Sequence, residues 1–239
     1  MNKKSKFRLI SFFIIFISLT AISTLVASAQ TEEMLSRNYE TGSFSSLFLD
    51  GSFGVQLIQG DEESLEVRAY DIRAFESLNI TNENGLLHLN ISRKLFDFSK
   101  VLILVTFKKL DDLHILGGVK LDTRGYLDLN NLNILLEGGA KVNLQLKAKK
   151  ITLENRGGLL CELSGVADML NARLAGAGHI NAGELKTKDV NFKIEGVGTA
   201  RVFATDKLNA SIKGAGKIRY LGNPEVVQNI EGLGSIVQE

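Results

Sequence analysis

The sequence predicts an all-β protein whose larger part is a parallel β-helix-like solenoid with coils of about 18–21 residues, preceded by a β-sandwich-like or mixed β region that caps it. Three observations lead there. Glycine pairs recur at nearly constant spacing, two apolar columns recur in step with them, and the composition has 23 Gly but one Pro and no Trp, which favours strands joined by tight turns.

The first element, residues 1–29, reads as a secretory signal peptide. MNKKSKFR carries Lys3, Lys4, Lys6 and Arg8 without an acid, an apolar stretch runs from Leu9 to Val26, and Ala27-Ser28-Ala29 supplies a small-x-small cleavage site. The competing reading is a retained anchor, because an apolar run of this length just spans a bilayer. Cleavage is expected, and after it no transmembrane segment remains. Removing the four basic residues from 28 Lys and Arg leaves 24, against 27 Asp and Glu. That balance gives no electrostatic case for nucleic acid. The one cysteine, Cys161, has no partner for an intramolecular disulfide, so an exported chain of this size depends on its apolar core.

Residues 30–116 form the predicted N-terminal β region. Alternating runs such as FSSLFLD, GVQLIQG, SLEVRAY and VLILVTF are separated by the turn signals Asp50-Gly51, Gly60-Asp61 and Asn84-Gly85. Asn-Gly between two alternating runs predicts a hairpin over Ser77 to Ser92.

Residues 117–239 carry the repeat. Glycine pairs start at Gly117, Gly138, Gly157, Gly176, Gly196, Gly214 and Gly232. Four residues after each start come Leu121, Val142, Cys161, Ile180, Ala200, Ile218 and Ile236, a column of small or apolar residues. Before the starts stand period-two triplets such as Leu170/Ala172/Leu174 and Val190/Phe192/Ile194, the pattern of strands with one buried face. Each coil therefore has two strands with a glycine pair at the corner between them. The glycines Gly138, Gly157, Gly176, Gly178, Gly196, Gly198, Gly214, Gly216, Gly232 and Gly234 are assigned a structural role, needed where φ is positive or where the next coil's backbone passes close. A phosphate-cradling role is excluded, because such a glycine run opens a helix whose amides face the anion, and here each opens a strand. The last coil, ending Ile236-Val237-Gln238-Glu239, is expected to lack a second strand and a cap, which predicts self-association or coverage by another segment.

FSSLFLDGSFGVQLIQG, KKLDDLHILGGVKL and above all GAGKIRYLGNPEVVQNIEGLGSI, together with the leader, resemble the bacterial family described as "putative auto-transporter adhesin, head GIN domain", common in Bacteroidetes. The resemblance implies a two-part all-β protein with a β-helical portion in the cell envelope or outside the cell. It supplies no established activity and no catalytic residues; no cofactor and no metal are expected.

Among candidate site residues, His88, His114 and His179 alternate with apolar neighbours and are expected to face solvent without ligand spacing, so no metal site is assigned. Cys161 sits in an inward column and needs no catalytic explanation. The outward positions three and five after the glycine starts contain a basic stripe, His179, Arg201, Lys217 and Arg219, expected to form a linear array for an acidic polymer. Asn133, Thr152, Asn171, Asn191 and Asn209 make a second outward column, expected to be a structural amide ladder. The functional expectation is an exported, non-catalytic, adhesin-like binding or structural module, in the periplasm, at the outer-membrane surface or outside the cell. Its partners would be an envelope or host polysaccharide, a surface protein, or further copies of itself. The alternative is a polysaccharide lyase or hydrolase on a β-helix, although Glu162 is the only acid among the outward positions and an acid–base pair needs two.

Overall fold

The computed structural model describes residues 33–91 and 100–239, so the leader lies outside the described residues, as does Ser92 at the end of the expected hairpin. Residues 34–239 form one compact unit. In chain order its elements are β1 (Leu35–Tyr39), β2 (Ser46–Gly51), β3 (Gly54–Gln59), β4 (Ser64–Ala69), the short helix α1 (Arg73–Ser77), β5 (Leu78–Glu83), β6 (Leu86–Ile91), β7 (Val101–Phe107), β8 (Asp112–Gly117), β9 (Lys120–Thr123) and β10 (Leu127–Asp128). Four long strands follow, β11 (Asn131–Asn155), β12 (Gly158–Leu174), β13 (Ala177–Ile194) and β14 (Val197–Ile212), and then β15 (Ala215–Leu221), β16 (Glu225–Ile230) and β17 (Leu233–Gln238).

The long strands stack in parallel and in register. Val142 pairs with Cys161, Cys161 with Ile180, Ile180 with Ala200, Ala200 with Ile218, and Ile218 with Ile236, so the predicted column is one continuous line through the core. Each long strand spans a polar corner and so lies on two sides of the solenoid. The first face carries the segments that precede a glycine corner, such as Leu170–Leu174 and β16, and the second carries those that follow one, such as Ala215–Leu221 and β17. Unequal coil lengths are absorbed by bulges: the register slips between Glu162 and Ser164 against β13, and between Ala182 and Lys186 against β14.

Two reasons for glycine separate along the stack. Gly117 and Gly138 have φ of 115° and 103°, where a side chain is strained. The later corners have no such φ. There a Cβ at Gly157, Gly176, Gly196, Gly214 or Gly232 would fall far inside 3.0 Å of the carbonyl oxygen of the corner glycine one coil before. A second column, Gly178, Gly198, Gly216 and Gly234, meets the preceding coil's carbonyl oxygen in the same way. At the first close-approach corner the buried Asn155 folds its amide back onto the Gly157 N–H and C=O, at 3.3 and 3.2 Å.

The parallel stack does not wait for Gly117. β2 pairs parallel with β8, from Ser46↔Asp112 to Gly51↔Gly117, and β3 pairs with β9. On the other side β2 and β3 pair with β6 and β7. The order in space is thus β6/β7, β2/β3, β8/β9, then β11, and the expected division at Leu116 falls inside a coil. The mixed character comes from three antiparallel additions, β4 on β7, β1 on β4, and β5 on β6. Asn84 (φ 53°) and Gly85 (φ 81°) close the β5–β6 hairpin with Glu83 opposite Leu86, a two-residue turn with both central φ positive. Helix α1 buries Ala74 and Phe75 at this end, and the Arg37 guanidinium lies 4.8 Å from the Phe75 ring centroid.

The far end differs. β16 pairs with β14 and β17 with β15, so the last coil has both of its strands, contrary to the expectation of one. Its Val227, Ile230, Leu233 and Val237 are exposed.

Candidate functional site

The first face carries the amide column. Asn209 donates to Asn191 (2.6 Å) and Asn191 to Asn171 (2.8 Å). The ladder ends where Asn171 turns to the Met169 sulfur, and Asn133 stands apart from it, bonded to Asp112. The amides are therefore largely spent on one another. Beside them runs a charge network that sequence reading missed. Glu137 accepts from His114 (2.8 Å) and Arg156 (3.2 Å), Arg156 reaches Glu154 (3.0 Å), and Arg173 bridges Glu154 (3.1 Å) to Glu195 (2.6 Å), which Lys193 also contacts. Alternating Glu and Arg one coil apart was the readable signal.

The histidines all point outward but lie in different environments. The Phe48 ring is sandwiched between His88 and His114, with centroids 4.4 and 4.3 Å away and planes within 9°. This corrects the expectation that all three simply face solvent: the stack buries the His88 Nε2, which has no hydrogen-bond partner among the described residues. His179 instead bonds Thr199 Oγ1 at 2.7 Å. Cys161 is buried, and burial pushes its thiol up to about 12, so it is not a nucleophile at neutral pH.

The carboxylates of the network are held below their ordinary range of about 4.5, Glu137 chiefly by the His114 hydrogen bond and Glu195 chiefly by Lys193. A carboxyl with a lower value folded than unfolded binds fewer protons in the native state, so its stabilisation is full above the unfolded value and lost as pH falls through the folded one. The melting temperature is expected not to fall between pH 7 and about 5 and to drop below about 4.5; a fall beginning between pH 7 and 6 contradicts this role.

The four basic residues of the second face do not form one line. His179 and Lys217 share a column with Thr199 between them, while Arg201 and Arg219 are neighbours in the next column. Positions three and five after a corner both point outward, but they are two residues, about 7 Å, apart along the strand. Glu239 folds back over the arginines, 2.7 Å from Arg201 and 3.7 Å from Arg219. Lys217 makes no ion pair among the described residues.

A concavity lies at the polar corner, where the second face turns into the first. It is a groove of about 720 Å³ that crosses five successive coils from Asp128 to Asp206. Lys147 is paired with Asp128 (3.0 Å) and Lys188 with Asp168 (2.8 Å). Lys149 and Lys186 line the groove without an ion pair among the described residues. Asp168 is held below its ordinary range by the Lys188 hydrogen bond. No group of three or more His, Cys, Asp or Glu is placed to hold a metal among the described residues, and no described helix is long and apolar enough to cross a membrane.

Comparison with known proteins places this arrangement in a family. A solved "putative adhesin" from Bacteroides fragilis NCTC 9343 is 25% identical, with a TM-score of 0.80 over 87% of this chain and 98% of that one. A "putative lipid binding protein" and a "putative adhesin", both from Parabacteroides distasonis ATCC 8503, are 23% and 22% identical with TM-scores of 0.69 and 0.65; each is matched over 87% of this chain, and over 98% and 97% of its own length, and each shows the same fold. No curated protein matches the chain. Residues 43–224 match the family description "putative auto-transporter adhesin, head GIN domain", and the chain belongs to that family.

Proposed function

We propose that the protein is an exported, non-catalytic binding module of the bacterial cell envelope that holds a linear acidic polysaccharide along the polar-corner groove. The observation that carries this reading is the course of the groove, which follows the solenoid axis over five coils, roughly 19 Å at one strand spacing per coil. Such a path suits an extended polymer more than a compact substrate. Lys149 and Lys186 make no ion pair among the described residues, so they add charge along the groove beyond the two paired lysines. Lys217 adds a contact on the adjoining face, where the arginines are already engaged by Glu239. Each exposed contact contributes about 1 kcal/mol or less, so affinity rests on several together and fades with salt. Lys188 holds the groove carboxylate Asp168 down, which does not suit it to be the raised general acid of glycoside hydrolysis.

The test uses polygalacturonate as the acidic polymer and dextran as the neutral one, at low and high salt. Polygalacturonate alone is expected to bind, with Lys149→Ala/Lys186→Ala weakening binding about tenfold, the equivalent of about 1.4 kcal/mol. Arg201→Ala/Lys217→Ala/Arg219→Ala is expected to have the smaller effect. If the triple variant abolishes binding and the lysine pair does not matter, the second face is the site; if the wild type binds neither polymer, the reading fails.

A further inference from the structure

Among the described residues β16 and β17 each have one edge paired and one open, since β16 pairs with β14 and β17 with β15 alone. Natural sheets blunt such edges with lysine, proline or a bulge inside the strand. Here EVVQNI and LGSIVQ contain one charge, Glu225, and no lysine or proline. The surface is apolar as well: Leu233 is 81% exposed, Val227 52% and Ile230 43%. At the opposite end of the stack α1 and Arg37 cover the core. The strands with unpaired edges there among the described residues, β1 and β5, are polar and carry Arg37 and Glu83, so the apolar edge that matches this one is the same edge of another copy.

We propose that β16 pairs antiparallel with β16 of a second copy about a two-fold axis at Gln228, closing a dimer. The backbone already fixes the register. Glu231 donates its N–H to Ile212 in the preceding coil, and peptide groups alternate along a strand, so the N–H and C=O groups of Val226, Gln228 and Ile230 point to the open edge. A two-fold at Gln228 sets Gln228 against its own copy and Val226 against Ile230, giving about six backbone hydrogen bonds. Inward-facing residues meet inward-facing residues, and Val226, Val227 and Ile230 leave water. The Glu225–Glu231 pairing this register brings together is offset by Lys213, which contacts Glu231 at 3.2 Å. The two-fold uses the same surface on both copies, so this contact closes on itself.

Light scattering and sedimentation of the protein as purified from the cells that make it should give twice the protomer mass. Gln228→Pro removes an N–H that no neighbour in the chain uses, and it should give a monomer with an unchanged circular dichroism spectrum and melting curve below the dissociation range. Ile230→Lys should do the same by placing a charge in the seam. Gln228→Cys should cross-link to a dimer in air and separate on reduction, because directly opposed residues of a hydrogen-bonded antiparallel pair lie about 5.5 Å apart, within disulfide reach. The native Cys161 is buried and does not compete. A monomeric wild type, a Gln228→Pro protein that stays dimeric, or a Gln228→Cys protein that fails to cross-link would each overturn the proposal.

Discussion

Gly196→Ala is expected to cost more than about 3 kcal/mol, a large share of the 5–15 kcal/mol that holds a domain of this kind folded. One methyl group has this effect because of what it meets. The added Cβ would be driven into the Gly176 carbonyl and would lie 2.7 Å from the Ala175 oxygen, and both are backbone, so no rotamer change relieves the overlap. The coils would have to separate, which breaks the ladder that Val197 N–H makes with the Gly176 oxygen at 3.0 Å. Gly139→Ala is the control: nothing lies within 4 Å of its Cβ, its φ is not in the left-handed region, and it is expected to change stability by less than about 0.5 kcal/mol. Urea unfolding of both variants measures the difference. Equal midpoints would show that the corner glycines are not required by close approach.

These corners were legible in the sequence because each coil passes its neighbour too closely at the same place, and only glycine satisfies that place each time. The apolar columns were legible for a related reason, since parallel stacking in register puts chemically like residues on top of one another. The order of the first coils was not legible. β2 and β3 lie between β6/β7 and β8/β9, so their neighbours in space are not their neighbours in sequence, and no local pattern in FSSLFLD or GVQLIQG encodes that insertion.

The binding surfaces were less legible still. The outward direction of His179, Arg201, Lys217 and Arg219 followed from alternation, but their division into two columns and the approach of Glu239 depend on register and on the path of the last residues. The groove has no glycine marker, and its lysines and aspartates stand in no apolar column that would mark it. The available signal was a recurrence, Lys147 and Lys149, Val166 and Asp168, Lys186 and Lys188, and Thr205 and Asp206, at close to the coil period.

Phe192→Ala carries the second large expected effect. On the first face the central inward position runs Leu153, Ala172, Phe192, Ala210, Gln228 through successive coils. Phe192 is 2% exposed with a small residue on either side, so its ring fills space that the two alanines leave. Truncation removes the ring without a neighbour able to collapse into the gap, at a cost of about 3–5 kcal/mol. Phe192→Leu, which keeps most of the volume, is expected to cost less than about 1.5 kcal/mol. Because each coil touches only its neighbours, the loss falls on the two interfaces of β13. The coils beyond it have a thin core in which Ala200, Ala204 and Ala210 stand at inward positions. Hydrogen exchange in Phe192→Ala should therefore rise first in β14 to β17, with β8 and the start of β11 still protected, and the urea transition should broaden. A uniform rise across all strands, or a cost under about 1 kcal/mol, would mean that the solenoid unfolds as one unit and that this ring is not what joins its halves.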